Sequence, residues 1–127
     1  MTLLHEELTE KIIGAFYKVY NTLGYAFLEK VYENALKIEL TDLGLHVVAQ
    51  MPVLVYYKDQ VVGEYFADMC VENAVILEIK AVENLSEAHE AQLLNYLKAT
   101  GIEVGFVLNF GKKPEFRRKV FEKNYPC

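Results

Sequence analysis

Residues 68–80, DMCVENAVILEIK, contain a run apolar enough for a buried strand, yet Glu78 and Lys80 lie near its end. Ionised side chains are rarely fully buried unless they are paired. In a strand, side chains two residues apart share a face, so Glu78 and Lys80 project together while Leu77 and Ile79 face the other side. Either the packing or the chemistry of the protein must account for these two charges.

A turn over residues 71–74 would make the same stretch a hairpin. If this turn is centred near Asn73, Asp68 lies opposite Glu78, with Cβ atoms about 5 Å apart. Two carboxylates so close are unfavourable without a positive group beside them. In one explanation, Lys80 neutralises them in a partly buried ion triad and its ammonium reaches water. In the other, the carboxylates bind a hard cation such as Mg²⁺, and Lys80 lies beside a water and a phosphate.

The sequence on either side of this hairpin predicts an α/β protein. Residues 12–23 and 28–43 carry apolar stripes at helical spacing and end at Gly24 and Gly44. From His46 the pattern predicts three strands that form an antiparallel meander. Residues 86–100 predict a helix with Ser86 as N-cap, before a buried strand over 103–109 and a weaker edge strand. We expect the order α-α-β-β-β-α-β, with residues 103–109 parallel to 74–81 and helices on both faces of a mixed sheet.

Composition limits the class of protein. The 127 residues are 53% hydrophobic and 24% charged, which predicts one ordered domain over residues 1–127. The start of the chain lacks the pattern of a signal peptide, and no apolar run is long enough to span a membrane. Cys70 and Cys127 form neither a disulfide framework nor a metal motif, so we expect reduced thiols in a cytoplasmic protein. His5, His46 and His89 are too dispersed for a zinc site.

Charge is unevenly distributed. The net charge of −5 argues against broad binding to nucleic acid, but residues 111–123 hold six basic and two acidic side chains. One interpretation is a basic patch in which Lys112, Lys113, Arg117, Arg118 and Lys119 contact phosphates. The other is a solvated edge strand whose charges prevent aggregation.

Two helices add polar groups that could approach the end of the central strand. Gln92 and Tyr96 are four residues apart and share a helical face. In the second helix Glu29, Tyr32 and Glu33 line one side, a pattern that predicts a solvated face with one buried aromatic. Each pattern alone is typical of an ordinary amphipathic helix.

Several segments together resemble the PD-(D/E)XK nuclease superfamily, and more closely its GxxExxY branch. These are LGYAFLEKVYENAL near the start, FADMCVENAVILEIKAV in the middle, and HEAQLLNYLKATG followed by VGFVLNFG. Glu29 and Tyr32 match the Glu and Tyr that name the branch, while Ala26 stands where its motif has Gly. The resemblance implies a restriction-endonuclease-like fold and Mg²⁺- or Mn²⁺-dependent cleavage of a nucleic acid, with DNA favoured.

The resemblance also implies roles for particular residues. Asp68 and Glu78 would bind the metal, helped by the Ile79 carbonyl and, through a water, by Glu29. Lys80 would orient a water or stabilise charge on the phosphate. Gln92 and Tyr96 match the Q-x3-Y helix of the branch, where the Gln would position the nucleophile or the phosphate and the Tyr would support the Gln.

Two further hypotheses belong to other classes of protein. One is a noncatalytic module that binds nucleic acid or protein and retains the ion triad. The other is a protein-interaction surface made by exposed tyrosines, among them Tyr17, Tyr20 and Tyr25. The acidic body and small size lead us to expect that an active nuclease works as a homodimer or with a recruiting protein.

Overall fold

The computed structural model describes residues 5–122 of the chain. Within this range the elements are α1 (Glu6–Leu23), α2 (Glu29–Asp42), β1 (Val47–Tyr57), β2 (Gln60–Val71), β3 (Val75–Lys80), α3 (Glu87–Thr100), β4 (Val104–Phe110) and β5 (Pro114–Val120). The predicted element order is confirmed, and the predicted edge strand is present as β5.

The helix ends follow the expected signals. Gly44, with φ of 82°, follows Leu43, the C-cap of α2, and Gly101, with φ of 78°, is the C-cap of α3. These are left-handed conformations that glycine adopts without steric cost. Ser86 precedes α3, and its main-chain N–H donates to His89 Nδ1 at 3.2 Å. His89 therefore caps its own helix, which accounts for this side chain without a role in chemistry.

The five strands form one sheet in the spatial order β1-β2-β3-β4-β5. The β1–β2 turn and the β2–β3 turn each contain two consecutive residues with positive φ, Lys58 with Asp59 and Glu72 with Asn73. This geometry matches the twist of the flanking strands. The crossover through α3 makes β3 and β4 parallel, as predicted, and their register runs from Val75 opposite Val104 to Lys80 opposite Asn109. All other neighbouring strands are antiparallel.

Helices cover both faces of the sheet. On one face α1 and α2 pack over alternate residues of the central strands, with Phe16, Leu36 and Leu77 fully buried. On the other face α3 packs through Leu93 and Leu97 against Ile76. Every residue of β4 is buried, because both of its faces are covered. The predicted mixed sheet between helices is confirmed.

Other expectations concern the chain as a whole. No helix within residues 5–122 is both long and apolar enough to cross a membrane. Cys70 is buried as a free thiol, whereas Cys127 lies outside the described residues. A single domain over residues 1–127 stays a prediction.

Candidate functional site

The strands β2 and β3 separate at the polar residues that the sequence singled out. Their pairing runs from Val71 opposite Val75 to Met69 opposite Leu77 and then stops. The same register brings Asp68 opposite Glu78, as predicted. Beyond the last pair, Asp68 N–H donates to Glu78 Oε2 at 2.8 Å, and Ile79 N–H donates to Asp68 Oδ2 at 2.7 Å. Each carboxylate thus takes the place of a main-chain acceptor on the neighbouring strand.

At this point the side chains of β2 also change the face of the sheet to which they point. Met69 and Val71 belong to the core under α1 and α2, whereas Ala67, two residues before Met69, belongs to the core under α3. The β1–β2 ladder skips the pair of Gln50 and Asp68, and Gln50 has φ of 53°. Positive φ is uncommon for a residue with a side chain. Asp68 therefore lies at an irregularity where the outer hairpin turns away from β3 and leaves an open fork.

Burial and like charge dominate the electrostatics of the fork. Glu78 is only 4% exposed, and burial, followed by the neighbouring Asp68 carboxylate, raises its pKa to about 8. Burial also raises the pKa of Asp68, and the charges of Glu33 and Glu29 act in the same direction. Without a cation, the pair therefore retains a proton near neutral pH. This site is short of positive charge.

Lys80 does not supply that charge by contact. It lies on the same face of β3 as Glu78, and its charge lowers the pKa of both carboxylates by less than burial raises it. Among residues 5–122, no carboxylate lies within 4.0 Å of the Lys80 ammonium. The ion triad, one of the two explanations for these charges, is therefore not formed. The ammonium is left available for another anion.

On one side of the fork, α2 contributes a carboxylate that the sequence analysis assigned to solvent. Glu33 is buried, accepts a hydrogen bond from Gln50 Nε2 at 2.7 Å, and contacts Lys30 Nζ at 3.4 Å. Gln50 stands opposite Asp68 in the β1–β2 register, so this hydrogen bond brings Glu33 to the border of the fork. The charge of Glu33 raises the pKa of Asp68 and of Glu78. The prediction of a solvated helix face was wrong for Glu33, whereas Glu29 is exposed as predicted. The only available signal was the four-residue spacing of the two glutamates.

Tyr32, the predicted buried aromatic, fixes the turn before α2. Its hydroxyl donates to the Gly24 carbonyl at 2.7 Å and accepts from Phe27 N–H at 3.2 Å. Its ring stacks on Phe110, with ring centroids 4.3 Å apart. In the same turn Ala26 has φ of 88°, a conformation that favours glycine. Tyr32 thus holds the segment from which α2 and Glu29 begin.

On the other side, α3 brings the two residues of the Q-x3-Y pattern together. Gln92 Nε2 donates to the Tyr96 hydroxyl at 3.1 Å. Tyr96 is mostly buried, and its pKa is raised by burial and then by the charges of Glu78 and Asp68. Tyr96 packs in the same cluster as Ile76, which shares a face of β3 with Glu78, so Tyr96 lies on the side of the sheet to which Glu78 projects. Gln92 is exposed.

Asn109, which the sequence analysis did not single out, holds the chain that follows Lys80. It is buried on β4, opposite Lys80. Its Oδ1 accepts from Val82 N–H and its Nδ2 donates to the Val82 carbonyl, both at 2.9 Å. A lone Asn inside the apolar strand VGFVLNF was the signal that could have revealed it.

The five basic residues that were predicted to contact phosphates are divided in the structure. Arg117 pairs with Glu115 and Lys119 with Glu90, each at 2.8 Å. Arg117 lies opposite Val107, on the α3 face, whereas the next residue, Arg118, faces the other side of the sheet. Lys112 and Lys113 are exposed in the preceding loop. Phosphate contacts by Lys112, Lys113, Arg117, Arg118 and Lys119 stay a prediction.

The tyrosines of the interaction-surface hypothesis differ in exposure. Tyr17 and Tyr25 are 38% and 53% exposed. Tyr20 is half-buried, and its hydroxyl donates to the carbonyls of Gly111 and Lys112 at 2.8 and 2.7 Å. Tyr20 is thus accounted for by its contacts with the loop after β4.

The donor set of the fork fits a hard divalent cation. Among residues 5–122, no donor contacts Asp68 Oδ1 or Glu78 Oε1, and no group of three or more His, Cys, Asp or Glu side chains has the arrangement of a metal site. The Ile79 carbonyl lies on the same strand edge as its N–H, which points at Asp68. Two carboxylates and a carbonyl are oxygen ligands of the kind that Mg²⁺ takes while it keeps several waters.

Comparison with known proteins assigns the family. A solved structure described as the crystal structure of SSO0001 is similar to this chain, with a TM-score of 0.60 and 15% identity over 75% of this chain. The match covers 50% of that protein, so this chain spans about half its length, and the likeness concerns the fold alone. No curated protein matches the sequence. A family model described as the PD-(D/E)XK nuclease superfamily matches residues 6–119. The fold is accordingly restriction-endonuclease-like, and the chain belongs to the PD-(D/E)XK nuclease superfamily.

Proposed function

We infer that this protein is a metal-dependent nuclease that hydrolyses phosphodiester bonds of nucleic acid at the fork between β2 and β3. Membership in the superfamily suggests nuclease activity and nucleic-acid binding. The observation that carries the proposal is the pair of Asp68 and Glu78, which are held together by main-chain N–H groups with no Lys, Arg or His of residues 5–122 in an ion pair with them. Buried carboxylates with raised pKa values are typical of functional sites.

Asp68, Glu78 and the Ile79 carbonyl would hold the metal. Members of the superfamily generally use divalent metals, and a bound Mg²⁺ or Mn²⁺ polarises the scissile phosphate and lowers the pKa of a coordinated water. Glu29 would act through a water, because its side chain is exposed at the first turn of α2. Glu33 joins this group as a carboxylate that orients Gln50 and adds negative charge.

Lys80 would bind the phosphate or orient the attacking water. Its ammonium extends from the same face as Glu78 and has no carboxylate partner among the described residues. A positive group at that position stabilises charge that develops on phosphate oxygens. Gln92 would hydrogen-bond the phosphate or the nucleophile, and Tyr96 would hold Gln92 in place through their hydrogen bond.

The proposal extends to the GxxExxY branch. Ala26 occupies the position of the motif's Gly and has φ of 88°, so the backbone there has a conformation that suits the glycine. Tyr32, at the position of the motif's Tyr, supports the same turn. In this view the motif shapes the turn that delivers Glu29 to the fork.

A cleavage assay tests the function. Single-stranded, duplex and branched DNA, together with RNA, would be incubated with Mg²⁺ or Mn²⁺ and wild type, Asp68→Ala or Lys80→Ala. The matched controls are Asp42→Ala and Lys11→Ala, which change exposed helical residues. We expect wild type and controls to cleave and each site variant to lose at least about 100-fold in rate. Equal rates in all five proteins, or no cleavage of any substrate, would contradict the proposal.

The basic segment gives a separate test of substrate contact. Neutralisation of Lys112 and Lys113 should weaken the salt dependence of nucleic-acid binding. The slope of the logarithm of the binding constant against the logarithm of the salt concentration should fall in magnitude by about one for each lost phosphate contact. The same experiment applies to Arg117, Arg118 and Lys119. An unchanged slope would show that these residues do not contact phosphates.

The noncatalytic binding module is the second candidate function. The acidic charge of the chain favours a module that binds protein rather than nucleic acid, and either form of the module predicts no dependence of metal affinity on Asp68. Calorimetric titration with Mg²⁺ or Mn²⁺ separates the two functions, because the affinity of a nuclease site would collapse in Asp68→Ala. We propose DNA as substrate, a cytoplasmic location, and a homodimer or a recruiting protein as the means of targeting.

A further inference from the structure

An open groove of about 800 Å³ runs between α3 and the outer part of the β1–β2 hairpin. The hairpin contributes Leu54, Val55, Tyr56 and Tyr65 to its walls. The helix contributes three small residues, Ala88, Ala91 and Ala99, beside longer polar ones. The groove is therefore wide at the helix and bordered by aromatic rings at the sheet.

Two of these rings are exposed although they are large. Tyr65 is 50% exposed and Tyr56 is 59% exposed. Tyr65 is in contact with the mostly buried Tyr96, with ring centroids 5.9 Å apart and planes inclined by 43°. Tyr96 thus supports Tyr65 from below and leaves much of its ring open to the groove. Exposed aromatic rings of this kind are the surfaces on which unpaired bases stack.

The polar side chains of the groove suit a nucleotide. Gln92 and Asn95 carry amides that both donate and accept hydrogen bonds, as the edges of bases do. Lys98 adds a positive charge to the same wall. None of the described residues that line the groove is acidic, although the whole chain has a net charge of −5. The local charge therefore favours an anionic strand.

The groove borders the fork through Tyr96. Gln92 and Tyr96 line the groove, and Tyr96 belongs to the same buried cluster as Ala67, the residue before Asp68, and Ile76, which shares a face of β3 with Glu78. The charges of Glu78 and Asp68 also raise the pKa of Tyr96. A strand with a phosphodiester at the fork would therefore have a neighbouring nucleotide in the groove. Bases inside a duplex are already stacked and must be extruded before a protein ring can stack on them.

We propose that this groove is a subsite for an unpaired nucleobase, which stacks on Tyr65 next to the phosphodiester bound at the fork. The proposal rests on the nuclease function and specifies its substrate class: single strands, or branched DNA with an unpaired arm, rather than continuous duplex. Tyr65 is then a binding residue that determines specificity, with Tyr56 as the second ring.

Base stacking can be measured without cleavage. A single-stranded DNA oligonucleotide that contains 2-aminopurine, and the corresponding duplex, would be titrated with full-length protein in EDTA. Stacking on a ring quenches the fluorescence of this base. We expect wild type to quench the single strand and to bind it more tightly than the duplex. Tyr65→Leu should abolish quenching and weaken single-strand binding roughly tenfold, the loss of one stacked base.

Three controls make the experiment specific. Tyr65→Phe keeps a ring without the hydroxyl and should behave as wild type. Tyr57→Ala removes an exposed tyrosine of the same hairpin that does not line the groove, and should also bind normally. Thermal unfolding checks that Tyr65→Leu is folded. If it is not, Tyr56→Leu takes its place with a smaller expected loss.

Two results would overturn the subsite. Equal binding of single strand and duplex by wild type would do so. Normal binding and quenching by Tyr65→Leu would do so as well, because an apolar side chain would then suffice and the groove would fit a hydrophobic protein segment better than a base. Failure of the subsite is distinguishable from failure of the nuclease function. If wild type cleaves nucleic acid and Tyr65→Leu binds it normally, only the subsite is rejected. If fluorescence quenching depends on Tyr65 but no substrate is cleaved, only the nuclease function is rejected.

Discussion

The two edges of β3 differ in how they are held. On the β4 edge, six residue pairs continue to Lys80 opposite Asn109. On the β2 edge, three pairs are followed by hydrogen bonds from main-chain N–H groups to the carboxylates of Asp68 and Glu78. On the β4 edge, main-chain groups pair with each other and no charge is buried. On the β2 edge, two acidic groups are buried side by side, which lowers the stability of the fold. Such a cost is expected where a residue is kept for binding rather than for stability.

The largest effect that would test this contrast is the pH dependence of stability. Burial raises the pKa of Glu78 to about 8 from an ordinary value of 4.5. The folded protein then holds a proton that the unfolded chain has released, so the free energy of unfolding falls as pH rises between these values. Glu78→Gln removes the part of this dependence that Glu78 contributes and should stabilise the metal-free protein by a few kcal/mol near pH 8.

Urea unfolding in EDTA at several pH values, from about 5 to about 8, measures this effect. The matched control is Glu64→Gln, an exposed residue of β2 that should keep the slope of wild type. If wild type and Glu78→Gln lose stability in parallel as pH rises, Glu78 is not the buried acid that the fork requires.

An effect of opposite sign is expected on the β4 edge. Asn109→Ala leaves the N–H and the carbonyl of Val82 without their partner and should destabilise the protein by about 2 kcal/mol. Chemical denaturation measures the loss. Asn34→Ala, on the exposed side of α2, should change stability little. A neutral Asn109→Ala would mean that the two edges of β3 do not differ as described.

The smallest effect concerns the turn that leads α2 to the open edge. Ala26→Gly should stabilise the protein by about 1 kcal/mol, because φ of 88° strains a residue with a Cβ atom. Ala91→Gly, in the middle of α3, should have the opposite effect, since glycine is unfavourable inside a helix. Thermal unfolding of both variants compares them directly. Destabilisation by Ala26→Gly would argue against the left-handed turn.

Much of the arrangement at the β2 edge of β3 could be predicted from local sequence patterns. The turn at Glu72 and Asn73 determined the register, and the register alone brought Asp68 opposite Glu78. Helical spacing likewise predicted that Gln92 and Tyr96 would meet. These predictions succeeded because a strand repeats every two residues and a helix every 3.6, whatever the rest of the chain does.

Contacts between elements were less predictable. Glu33 is polar and helical, so its pattern indicated solvent, yet β1 covers it and Gln50 binds it. The basic run of 111–123 is continuous in sequence, but strand alternation directs Arg117 and Arg118 to opposite faces of the sheet. In both cases the neighbours that decide the environment are distant in the sequence.

The sequence by itself determined the order of helices and strands, because this order depends on the periodicity of neighbouring residues. The opposition of the two carboxylates followed only on the condition that the turn is centred near Asn73, which the observed register meets. Only the tertiary structure decided that Lys80 remains out of contact with both carboxylates, that Glu33 joins the fork, and that Asn109 closes the other edge of β3. The physical reason is that the pKa and the pairing of a charge depend on which distant elements exclude water from it.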